Sequence, residues 1–225
     1  MKKQLGKFRE YLMTGVSYMI PIVVIGGVLI ALSIALSGVE AGTGANVTNE
    51  YLVKMLNIGV AAFGLMVPVL AGFIAYGIAD RPGLAPGLVG GVLANEVGAG
   101  FLGGIAAGFI AGFVARWIKS WNVPKQIRAI MPIFVIPLLT SLVVGVAMYI
   151  IGAPISNLME AMTAGLKTMG EGNAVLLAIV MGAMIAFDMG GPVNKVAFLF
   201  GAAMISEGVY TVMGPVAVAI LSLIH

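Results

Sequence analysis

The 225-residue sequence contains no cysteine. That excludes a disulfide, a thiolate metal site and a cysteine nucleophile. Histidine is almost as scarce, and the single one, His225, is the last residue. A metal site needs several converging donors, so neither a metal nor a phosphohistidine is expected in these residues, and nothing points to another cofactor. Charge is the third shortage: Asp, Glu, Lys and Arg make up 9% of the chain, against roughly 25% in soluble domains. Hydrophobic residues make up 60%. They gather in runs of the ~20 residues that cross a bilayer, not in the period-3.6 stripes of soluble helices. A closed barrel would alternate polar and apolar residues along short strands, and that pattern is absent. The chain reads as an all-α polytopic membrane protein. Its net charge of +3 does not argue for nucleic acid, because the basic residues collect at the flanks of apolar runs.

Lys2, Lys3, Lys7 and Arg9 precede an apolar run over residues 12–36. This run is longer than the 7–15-residue core of a secretory signal, so it reads as a first crossing with a cytoplasmic N-terminus. Residues 37–50 carry Glu40 and Glu50 but no basic residue, as suits an external loop. A second crossing over 56–79 returns to Asp80-Arg81. The next basic cluster, Arg116, Lys119, Lys125 and Arg128, closes a run over 97–118 and is also expected to be cytoplasmic. The chain must therefore cross between the two clusters, and residues 82–96 are the only candidate. They are rich in glycine and proline, so a short and irregular third crossing is expected, covered by protein or lining a cavity. In the following run Gly100, Gly104, Gly108 and Gly112 share one face, a spacing that lets helices approach closely. The partner is either a neighbouring helix or a second subunit. A fifth crossing occupies 130–151. Residues 154–169 alternate apolar and polar faces at helical spacing and read as an amphipathic helix along the membrane surface. The expected organisation is an N-terminal half over 1–152, a linker over 153–172 and a second half opening at 173, with a broken segment and a final span over 209–224.

The broken segment holds the chemistry. Two apolar runs, 174–187 and 196–205, are each too short to cross, and between them lie Asp188, Gly190, Gly191, Pro192, Asn194 and Lys195. Ionisable residues at membrane depth cost on the order of 3 kcal/mol each and mark pathways or binding sites. Asp188 accepts hydrogen bonds, Asn194 donates and accepts, and Lys195 donates. Gly190 and Gly191 let the backbone leave the helix and aim its own polar groups at a ligand, and Pro192 starts a new half-helix. Such a set marks where a substrate would be held. The competing reading is an Asp188–Lys195 ion pair bridging a helix break without a ligand. Asp80 and Arg81 are either a local pair holding a turn or part of a surface that receives a partner.

Two longer motifs, Asp80-Arg81-Pro82-Gly83-Leu84-Ala85-Pro86-Gly87 and Phe187-Asp188-Met189-Gly190-Gly191-Pro192-Val193-Asn194-Lys195, resemble the membrane-spanning IIC component of the fructose family of bacterial phosphotransferase-system transporters. Thr14-Gly15-Val16-Ser17-Tyr18-Met19-Ile20-Pro21 and Gly100-Phe101-Leu102-Gly103-Gly104-Ile105 fit the same pattern. The resemblance implies a multi-pass inner-membrane permease, surrounded by lipid and paired as a homodimer, that carries fructose or a related sugar. A IIB component, phosphorylated on cysteine by a IIA component, would phosphorylate the sugar at the cytoplasmic face. No catalytic residue of that relay is expected here, so IIA and IIB are expected on other chains. A scaffold half and a sugar-binding half joined by an amphipathic helix are also implied. The family's Gly-Ile-Thr-Glu-Gly-Ala-Ile-Pro-Phe-like motif has no counterpart, so the chain resembles the front of a IIC protein without its C-terminal third. An ion-coupled secondary transporter, or a non-transporting remnant or split-protein partner, are the readings that compete with the permease.

Overall fold

The computed structural model describes residues 2–37, 47–124, 128–172, 174–187, 197–198, 200–201 and 212–223. All regular structure among them is helical. Four stretches are long and apolar enough to cross a membrane, Gly6–Ser37, Glu50–Ala79, Gly100–Lys119 and Met131–Ala161, and a shorter apolar helix covers Val175–Ala186. Chain contacts divide the protein into two compact units, Met1–Ala153 and Pro154–His225.

The first unit opens with α1 (Lys2–Ser37). Its hydroxyls are consumed locally: Thr14 donates to the Glu10 carbonyl, Ser17 to that of Met13 and the fully buried Ser33 to that of Leu29. Local bonds of this kind let polar side chains sit in an apolar environment. Helix α2 (Glu50–Gly64) is capped by Asn49, whose side chain accepts from the Tyr51 and Leu52 amides, and a Glu50–Lys54 pair at 2.6 Å braces its first turn. After Leu65 the chain continues as α3 (Met66–Ala79). The break has a simple cause, since Pro68 lacks the N–H that would bond the Gly64 carbonyl.

Helix α3 is the axis of this unit, with ten of its residues buried from Met66 to Ala79. Two glycine rows lie against it. From α4 (Arg81–Glu96), a methyl group added at Gly83, Gly87 or Gly91 would stand 2.6 Å from the Ala75 carbonyl, 2.8 Å from that of Ala71 or 2.5 Å from the Pro68 Cα. From α5 (Gly100–Lys119), Gly104, Gly108 and Gly112 press on Val67, Ala71 and Ile78. The order of these contacts sets α4 antiparallel and α5 parallel to α3. Helix α1 is antiparallel to α2 and α3, with Gly15 against Leu70 and Gly26 against Gly59.

Residues 82–96 thus reverse the chain as expected, but they are not irregular. They form a 16-residue α-helix, about 24 Å long at ~1.5 Å per residue. Glycine costs a helix roughly 1 kcal/mol relative to alanine, and α4 carries four. Packing overrides that penalty, because only glycine lets α4 settle onto α3. The α4–α5 corner uses glycine differently: Gly98 and Gly100 adopt φ of 70° and 49°, left-handed values that other residues resist. Gly100 therefore shapes the corner, and the ridge proper is Gly104, Gly108 and Gly112.

A π-helical turn, Met131–Val135, leads into α6 (Ile136–Gly172). The helix is continuous over Ile136–Gly172, and the division between the two compact units falls within it, at Ala153 and Pro154. Leu138, Leu142, Tyr149 and Ile150 are exposed on α6, as suits a helix whose solvent is hydrocarbon. On its inner side Val144 meets Gly90 and Met148 lies near Gly103, so α6 runs with α4 and against α5. One turn before these contacts Thr140 is fully buried, and its hydroxyl has no partner among the described residues. An unsatisfied buried hydroxyl costs about 1–3 kcal/mol. Thr140→Val is therefore expected to raise the melting temperature in detergent, and a clear drop would show that the hydroxyl is bonded.

In the second unit, α7 (Ala174–Phe187) and α8 (Met213–Leu223) pack together. Leu177, Met181 and Ile185 form a buried stripe on α7, with Val212 and Val216 buried at α8. The predicted broken segment lies largely outside the described residues, as does the start of the expected final span.

Candidate functional site

The described polar groups concentrate at one end of the first unit, where α3 ends, α4 begins, α5 ends and α6 starts. Asp80 is the joint between α3 and α4. Its amide donates to the Tyr76 carbonyl and its own carbonyl accepts from the Gly83 amide at 3.0 Å. Between those bonds it is held at φ 62°, ψ −153°, a region that is essentially glycine's own and costs a side-chain-bearing residue about 1–3 kcal/mol. It is the sole non-glycine residue with positive φ among those described.

What the Asp80 side chain gains is Lys119. The Lys119 Nζ donates to Asp80 Oδ2 at 2.7 Å and approaches the Ala79 carbonyl at 3.5 Å, so it also faces the C-terminus of α3. Arg81, the neighbour in sequence, is not the partner. The local Asp80–Arg81 pair is therefore corrected to a link between α5 and the α3–α4 joint. Close by, Arg116 donates to the Tyr11 hydroxyl at 3.4 Å, tying α5 to α1.

The hydrogen bond and charge of Lys119, helped by Arg116, hold the Asp80 carboxyl below its ordinary range. A depressed folded-state pKa means that the stabilising contribution is complete above the ordinary carboxylate value, near 4, and fades as pH falls through the lowered one. The pair is thus intact throughout the neutral range. It is also well exposed, with 76% of the Asp80 side-chain surface and 48% of that of Lys119 accessible, so it stabilises by no more than about 1 kcal/mol. Strain therefore outweighs the pair. Asp80→Gly is expected to melt higher than Asp80→Asn, which keeps the strained backbone and loses the charge. Equal melting temperatures for the two would remove the argument from strain.

Of the other residues singled out by sequence, Gly100, Gly104, Gly108 and Gly112 are all buried, the last three against α3 of the same chain. Asp188, Gly190, Gly191, Pro192, Asn194 and Lys195 lie outside the described residues. Lys119 escaped sequence reasoning as a site residue, because its partner is 39 positions away and no local spacing links the two. The basic cluster around it was the one available signal. No group of acidic residues or histidine suited to a metal occurs among the described residues.

No solved structure matches this chain. Sequence relatives are close. The chain is 47% identical over 213 residues to the fructose-like permease IIC component 2 of Escherichia coli (strain K12), covering 94% of this chain and 59% of that protein. It is 56% identical over 218 residues to the fructose-specific EIIB'BC component of the phosphotransferase system of the same organism, covering 96% of this chain and 38% of that protein. The fructose-specific EIIC component of Haloferax volcanii is 44% identical over 239 residues, which cover 97% of this chain and 64% of the relative. The chain thus spans about four- to six-tenths of the two Escherichia coli relatives. The profile of the family described as "Phosphotransferase system, EIIC" matches residues 13–222, and with nearly the whole length inside that match, the chain belongs to the phosphotransferase-system EIIC family.

Proposed function

We propose that these residues serve as the membrane permease part of a phosphoenolpyruvate-dependent phosphotransferase system, moving fructose or a closely related sugar for phosphorylation by a separate IIB component. The observation that carries this reading is the 56% identity, across nearly all of this chain, to a protein named as fructose-specific. The Asp188–Lys195 stretch supplies the sugar contacts, and Asp188, Asn194 and Lys195 together offer donors and acceptors to ring hydroxyls. IIA and IIB act from other chains, and two copies of the protein pair in the membrane.

The end bearing Asp80, Arg81, Arg116 and Lys119 faces the cytoplasm, in keeping with the excess of positive charge on that side. Reporter fusions test this orientation: a fusion after Asn95 is expected outside and one after Trp121 inside, and the reverse pattern would invert the topology.

The function is tested with membranes containing the protein, soluble IIA and IIB components, and labelled fructose. Fructose phosphate is expected to form only when phosphoenolpyruvate is supplied. Accumulation of unmodified sugar driven by an ion gradient, without phosphoenolpyruvate, would replace the permease reading with that of a secondary transporter.

A further inference from the structure

A cleft of about 210 Å³ opens between the end of α5 and the start of α6, lined by Pro82, Lys119, Trp121 and Arg128 above Met131 and Ile136. Its floor is firm, because Met131 and Ile136 belong to a buried cluster with Ala79, Ala115 and Ile118. We propose that this cleft binds the phosphodiester headgroup of an anionic membrane phospholipid.

Position is the first argument. The cleft lies where the candidate spans Gly100–Lys119 and Met131–Ala161 end and begin, the level at which lipid phosphates sit. Trp117 and Trp121 meet edge to face there, with centroids 5.1 Å apart, and tryptophan collects at that level because its ring is amphipathic. Charge is the second. Arg81, Arg116, Lys119 and Arg128 outnumber the two carboxylates described at this end, Asp80 and Glu10, and no acid lines the cleft. Asp80 and the Ala79 carbonyl engage two donors of Lys119, but an ammonium has three. No described acid pairs with Arg128. Basic pockets beside span ends on the cytoplasmic side are suited to anionic headgroups.

Size and surroundings complete the case. At about 30 Å³ per water, the cleft holds roughly seven waters, enough for a glycerophosphate. It falls short of the ~300–1,000 Å³ of pockets that enclose a larger ligand. Beside it Ile133 and Phe134 are 81% and 63% exposed, so an acyl chain leaving the headgroup meets an apolar track on the π-helical turn. A freely diffusing anion would have no use for that track.

Native mass spectrometry of the full chain in detergent tests the proposal, with phosphatidylglycerol and phosphatidylcholine of matched acyl chains. Phosphatidylglycerol is expected to be retained in preference. Arg128→Gln is expected to weaken its binding roughly fivefold, the effect of one interfacial cation, while Arg128→Lys stays within about twofold. Lys54→Gln, at the far end of the α2–α3 rod, should leave binding unchanged. Equal retention of the two lipids overturns the proposal, and so does unchanged phosphatidylglycerol binding in Arg128→Gln. Displacement by inorganic phosphate at matched concentration also overturns it, because the cleft would then be a site for a free anion. Should Arg128→Gln fail to fold, the comparison of the two lipids on the unaltered protein decides alone.

Discussion

Gly108→Leu is expected to yield no monodisperse protein in detergent. A Cβ at this position would stand 2.8 Å from the Ala71 carbonyl oxygen, 2.9 Å from the Ile74 Cβ and 3.0 Å from the Ala71 Cα. Two of those three atoms are backbone, and the third is fixed to it, so no side chain can swing away. Relief requires α5 to separate from α3, which α4 presses from another side through Gly83, Gly87 and Gly91. Overpacking by a few methylenes costs about 1–3 kcal/mol where the surroundings yield. Here a rigid contact meets four added carbons, so the cost should exceed that range. Gly108→Ala is expected to lower stability by a measurable 1–3 kcal/mol or so. Gly182 on α7 provides the contrast, since nothing lies within 4 Å of an added Cβ there. Gly182→Ala should gain up to about 1 kcal/mol from helix propensity alone. Size-exclusion profiles and thermal melts of the three variants check the series. A well-folded Gly108→Leu protein with an unchanged melting temperature would mean that the α3–α5 contact is not as close as described.

The glycine series also shows how far sequence reasoning reaches. Spacing of four predicts a close approach, because small residues on one helical face have that consequence in any membrane bundle. It does not name the partner, and Gly104, Gly108 and Gly112 find theirs on α3, 34 to 37 positions earlier. Asp80 makes the same point. Adjacency was the only proximity visible, and it suggested Arg81, whereas the carboxylate turns to Lys119 on another helix. Helix α4 was misjudged for a different reason. Its glycines and prolines have poor intrinsic propensity, and propensity yields when each glycine admits a neighbouring backbone. Helix α6 continues through Pro154, although the two compact units divide at that residue. Membrane class needed no structure, because hydropathy over twenty residues is a local property that packing cannot reverse.

Asp188→Asn and Lys195→Ala are expected to reduce sugar uptake at low sugar concentration by roughly 10- to 100-fold each, with the protein still present in the membrane. A hydrogen bond to a charged group contributes about 1.5–3 kcal/mol, and each 1.4 kcal/mol is a factor of ten in binding. The same loss could arise without a ligand if the two residues merely pair across a helix break, because removing one partner strands a charge in an apolar setting. Exchanging the charges separates the two cases. The double variant Asp188→Lys with Lys195→Asp preserves an ion pair, so it should recover uptake if pairing is all that matters. A sugar site gains nothing from the exchange. Its hydroxyls meet a donor where they need an acceptor, and an acceptor where they need a donor. The measurement is initial uptake of labelled fructose, made with this chain and with the matching positions of a full-length relative, against membrane levels of each variant. Uptake is expected to stay low in both single variants and in the exchange. Normal uptake in either single variant, or recovery in the exchange, would assign Asp188 and Lys195 to the architecture of the chain and move the sugar elsewhere.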